Sequence, residues 1–258
     1  RWNYRWAWER AARADFATRT PVIATWDDHD FIDNNSYGAD HDEWPAEERD
    51  HALRAFTEYW GNPSAGTATT PGVFFRHAIG DVELFVLDGR YHRDDAEDVA
   101  VPAFLGDEQL TWLLDALAAS DATFKILANG SMWSPNGSDD SWAVYPQEWD
   151  ELFSGIAARG VEGVVLASGD VHRSEFRLVD NPHGYDLPEF IASSLAYTTP
   201  NPCLFNDDDV IACRGSSFYF TALDIDTTAA DPTITATIVD RNGNAQATWT
   251  VSRSQLTY

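Results

Sequence analysis

Pro21-Val22-Ile23-Ala24-Thr25-Trp26 runs straight into Asp27-Asp28-His29-Asp30. The proline resets the chain, and the apolar, β-favouring residues after it predict a short buried strand over 22–26. The run then stops at three carboxylates and an imidazole in four positions. Taken alone, that quartet reads equally well as a helix cap or a solvated turn. It becomes a ligand set only if other strands end the same way, because open α/β sheets collect ligands at the carboxyl ends of their strands.

Three further predicted strands do end that way. The apolar segment 82–87 runs into Asp88-Gly89-Arg90, 124–128 into Asn129-Gly130-Ser131, and 161–167 into Ser168-Gly169-Asp170-Val171-His172. If these strands are neighbours, carboxylate, amide and imidazole groups converge on one spot. That mixture suits divalent or trivalent ions such as Ca, Mn, Fe or Zn. Each member has a plainer role as well. An Asn after a strand is usually a turn residue, and an Arg there more often pairs with a carboxylate than clamps a substrate. His29, among acids, is the candidate general acid.

Around these strands the chain predicts helices over 4–17, 46–60, 107–119 and 146–158. The third has a stripe of Leu110, Leu113, Leu114 and Leu117, and the last opens on Pro146. A further strand is predicted over 73–77. Segments 175–179, 216–226, 233–239 and 246–252 alternate apolar and polar residues and predict a β-rich carboxyl-terminal part. The fold class is α/β. The loop 33–43 supplies Asn35, and the polar loop 134–142 holds Asp139, Asp140 and Trp142. Asn35 and Trp142 are the candidate substrate contacts, although core packing is the commoner role for the other tryptophans.

The whole chain has 258 residues, with 17 Lys and Arg against 42 Asp and Glu, a formal charge of −25. Such a field repels nucleic acid and anionic lipid. It would repel a phosphate ester too, unless cations sat in the site; its plainer meaning is solubility. No apolar run approaches the ~20 residues of a membrane span, and no signal peptide is visible. Cys203 and Cys213 allow either one local disulfide or two free thiols.

The segments PVIATWDDHDFIDNN (21–35), VELFVLDGRYHRD (82–94), FKILANGSMW (124–133), DSW (140–142) and LASGDVHRSEF (166–176) resemble the PhoD-like alkaline phosphatases of the calcineurin-like metallophosphoesterase superfamily. The resemblance implies an αββα sandwich with mixed sheets. It implies hydrolysis of phosphate mono- or diesters by a metal pair, commonly iron with calcium, in a secreted, periplasmic or extracellular enzyme. It assigns metal binding to Asp28, Asp170 and His172, with Asn129 as a middle ligand, and assistance to the departing group to His29. Arg90 matches an LDxR segment and is the second candidate catalytic residue. The family's upstream GDxxYxD-like segment has no counterpart before residue 26. The chain therefore reads as one domain over 1–258 lacking its first strands. The alternative is a catalytically incomplete fragment serving as a metal-binding or structural module.

Overall fold

A computed structural model describes residues 2–9, 15–38, 45–134, 140–194, 203 and 208–258. The amino-terminal part carries helices α1 (Trp2–Trp8), α2 (Asp28–Phe31) and α3 (Ala46–Tyr59). Strands β1 (Phe75–Ile79) and β2 (Val82–Val86), helix α4 (Asp107–Ala118), strand β3 (Phe124–Ala128), helix α5 (Pro146–Ala158) and strand β4 (Val164–Ser168) follow. The remainder is strand: β5 (Arg173–Val179), β6 (Leu187–Ile191), β7 (Val210–Gly215), β8 (Tyr219–Asp226), β9 (Thr233–Asp240) and β10 (Ala245–Ser252).

Seven strands form one mixed sheet in the order β1-β2-β3-β4-β6-β5-β7. Its centre, β2 through β6, is parallel, with β3 and β4 in register from Lys125 opposite Val164 to Ala128 opposite Ala167. Parallel strands are apolar on both faces because both faces are covered. Leu127, Val164 and Leu166 point to α4 and α5, meeting Leu110, Leu113, Leu152 and Phe153. Phe124, Ile126 and Val165 point the other way, onto Ile234, Ala236, Ile238 and Val251 of a three-stranded sheet, β10-β9-β8. The alternation along β9 is complete: its isoleucines are buried, while Thr235 and Thr237 pair with Thr250 and Thr248 on the outer face. The described residues thus form a helix, sheet and sheet layering.

Three expectations change. Residues 22–26 belong to neither sheet. Side chains replace the ladder: Asn62 clamps Ala24, accepting from its N–H at 3.0 Å and donating to its carbonyl at 2.7 Å. Thr25 Oγ1 donates to the Leu87 carbonyl at 2.6 Å. Strand β6 was hidden by Pro188 and Glu189, residues depleted in strands. Glu189 is tolerated in the interior because Ser134, Ser168 and the N–H of Trp133 all donate to it. Strand β7 was hidden by its acidic and cysteine-bearing surroundings, and its Cys213 is disulfide-bonded to Cys203.

Candidate metal centre

Strands β2, β3, β4 and β6 all end on one side of the sheet, so the segments after them meet there. The segment 25–30 lies across these ends. Trp26 anchors it, its indole N–H donating to Asp88 Oδ1 at 2.7 Å. Gly130 allows the close approach, since a Cβ there would lie 2.7 Å from the Trp26 carbonyl and from Asp27 Cγ. The result is an open cleft of about 430 Å³ lined in part by Asp27, Asp28, His29, Asn129, Asp170 and His172.

Asp27, Asp28 and Asp170 each bring one carboxylate oxygen to within 4.8 Å of the others. Asp27 sits at the N-cap of α2 but makes no side-chain cap bond, which removes the simple helix-cap reading. Its Oδ1 instead accepts from Arg90 Nε at 2.6 Å and Ser131 Oγ at 3.2 Å. Asp28 is held by two backbone N–H groups, from His29 at 2.7 Å and Asn35 at 2.9 Å. Burial, then the charges of Asp27 and Asp28, push the Asp170 carboxyl up to about 7. Burial also raises Asp27, against the pull of Arg90 and Arg93.

Two buried oxygens in this region, Asp27 Oδ2 and Asn129 Oδ1, have no hydrogen-bond partner among the described residues. Buried acceptors are normally satisfied, and three crowded carboxylates repel one another. A cation resolves both problems at once, so the donor set fits a hard or borderline metal ion. Backbone strain collects here as well. Asn35, Asp170 and His172 all have left-handed φ, at 55°, 65° and 55°.

Comparison with known proteins accords with this geometry. The family model for the PhoD-like phosphatases matches residues 1–254. The chain belongs to the PhoD-like phosphatase family. It is 30% identical over 194 residues to alkaline phosphatase D of Bacillus subtilis (strain 168), a match covering 64% of this chain and 32% of that protein. It also shares its fold with a solved structure of PhoD, with a TM-score of 0.63 and 20% identity over 88% of this chain and 55% of the other. The chain therefore spans about a third of the curated relative's length.

Within this PhoD-like fold the predicted residues separate. Asp28, Asn129, Asp170 and His172 meet at the cleft, although His172 lies outside the group of three close carboxylates. His29 lines the same cleft, with 69% of its side chain exposed and its Nδ1 3.9 Å from Asp33. Asn35 reaches the site through its backbone N–H, while its side chain is exposed and does not line the cleft.

Two assignments are corrected. Arg90 is fully buried and spends its guanidinium on Asp27, Asp140, Ser131 and the Ser36 carbonyl, so it cannot clamp a substrate. Trp142 is 1% exposed, stacked on Trp133 at 5.0 Å and Phe104 at 4.3 Å, and belongs to the core. Asp88 is likewise no ligand: Trp26, Arg90, Tyr91 and Val73 all donate to its carboxylate. Asp27, which no signal in the sequence sets apart from its neighbours, joins the close carboxylates and is fixed by Arg90. Asp139 lies outside the described residues.

Proposed function

We propose that this chain is the phosphate-ester-hydrolysing part of a PhoD-like enzyme, with a metal held by Asp27, Asp28, Asn129, Asp170 and His172. The observation that carries the reading is the trio of carboxylates with ligand atoms within 4.8 Å, at the carboxyl ends of parallel strands. Bound there, a divalent or trivalent ion would supply Lewis-acid polarisation of a phosphoryl oxygen. Calcium and iron are the proposed metals, with manganese or zinc as alternatives. The oxygen-rich set favours calcium and manganese, and the imidazole suits iron and zinc.

The chain's own residues divide the remaining work. No Lys or Arg is among the described residues lining the cleft. The ester is therefore oriented by metal-neutralised carboxylates and by the two imidazoles. His29, exposed at the rim, gives a proton to the departing oxygen. Asn35 and Arg90 serve indirectly, one holding Asp28 and the other Asp27.

The substrate is a small phosphate mono- or diester, reached in the periplasm or outside the cell. The Cys203–Cys213 disulfide supports an oxidising compartment. No described helix is long and apolar enough to cross a membrane.

The test is hydrolysis of p-nitrophenyl phosphate and bis-p-nitrophenyl phosphate by purified chain, with Ca, Fe, Mn or Zn supplied and with chelator as control. Metal-dependent turnover of either ester is expected. No turnover together with no metal-dependent thermal shift would overturn the reading. A second reading, metal binding without turnover, is favoured by a cleft with no Lys or Arg among the described residues that line it. Metal binding without hydrolysis of either ester would select it.

A further inference from the structure

Behind the cleft lies a set of buried charges, of which the chemistry above uses only Asp27 directly. Arg90 bridges Asp27 on one side and Asp140 on the other, its Nη1 donating to Asp140 Oδ1 at 2.9 Å. Arg93 donates to the same carboxylate and to Ser131 Oγ at 2.8 Å. Its guanidinium lies 4.0 Å over the Phe104 ring, which fixes it from behind. Ser131 completes the set by donating to Asp27. Two guanidiniums, Arg90 and Arg93, thus face two carboxylates, Asp27 and Asp140, all largely shielded from water. In so dry a setting an uncompensated charge is felt strongly by its neighbours. Among the described residues the set reaches the cleft through Asp27, whose other oxygen is unpartnered among them.

We propose that Asp140 and Arg93 are positioning residues that set the cation affinity of the cleft through Arg90 and Asp27. The inference rests on the metal reading given above. Asp140 draws part of Arg90's charge away from Asp27, which leaves Asp27 free to face a cation. Arg93 works in the opposite sense, neutralising Asp140 and returning Arg90 to Asp27. The two residues therefore push metal affinity in opposite directions, although both pack in the same interior.

That opposition separates tuning from simple structural support. Calorimetric titration of the whole chain with Mn²⁺ should show a Kd raised about tenfold in Asp140→Asn, the scale typical of groups that orient metal ligands. Arg93→Gln should lower Kd several-fold. The double variant Asp140→Asn/Arg93→Gln, neutral again, should return to within about threefold of the parent. The double variant also guards against a single substitution that fails to fold. Kd values shifted in the same direction by both single variants, or unchanged in both, would overturn the proposal while leaving the metal reading intact. Absence of binding of Mn²⁺, Ca²⁺, Zn²⁺ and iron alike by the unsubstituted chain would overturn both.

Discussion

Replacing Asp170 by Asn should make the metal-free protein more stable while abolishing the proposed metal binding. Asp170 crowds against Asp27 and Asp28, and its carboxyl holds its proton up to about 7 rather than the ordinary 3.8. The folded state therefore keeps a proton that the unfolded chain has already released. Stability from this group is lost as pH rises from about 4 through 7, because the folded state binds more protons in that window. The shift corresponds to a ceiling of about 4 kcal/mol above pH 7. Asparagine is nearly isosteric, carries no charge, and tolerates the left-handed backbone that Asp170 adopts at φ 65°. In chelator at pH 8, Asp170→Asn should thus melt higher, by several degrees and at most about 16 °C for a chain of this size. At pH 4 the two proteins should melt together. Added metal should raise the melting temperature of the parent and leave the variant unmoved. Thermal melts at the two pH values, with and without metal, read all of this. A variant no more stable than the parent at pH 8 in chelator would refute the crowding argument.

Three other perturbations probe the remaining assignments. His29→Ala should lower kcat about a hundred- to ten-thousand-fold on esters with poor leaving groups, and much less on p-nitrophenyl esters; steady-state rates on both classes check it. Trp142→Ala should cost about 3–5 kcal/mol of stability through its lost stacking on Trp133 and Phe104, with KM unchanged in the folded fraction; denaturant titration beside kinetics decides. Raising KCl from 0.1 to 1 M shortens the screening length from about 10 Å to about 3 Å. It should raise the melting temperature, since the chain carries −25 and its sole lysine, Lys125, is buried.

Much of the sheet was legible because its strands and helices announce themselves locally. Phe124–Ala128 and Pro146–Ala158 fall where the apolar runs and the helix-opening proline predict them. Strand β6 was not legible, since the partners that make Glu189 acceptable in the interior, Ser134 and Ser168, are far away in the chain. Segment 22–26 failed for the converse reason. It has the composition of a strand, but a side chain from Asn62 takes the place of a neighbouring strand.

The residue types of the site were determined by sequence alone: carboxylate, amide and imidazole at the ends of apolar runs, in an order resembling one family. Which of them face the cleft was decided only in three dimensions. Arg90 and Asp27 show why. Both stand after or beside apolar runs and both are charged, so no local pattern separates them. Asp140, some fifty positions from Arg90, captures its guanidinium and turns it inward. Asp27 is left with one oxygen tied and one unpartnered among the described residues. Charge neutralisation across distant segments assigns those roles, and it exists only once the chain is folded.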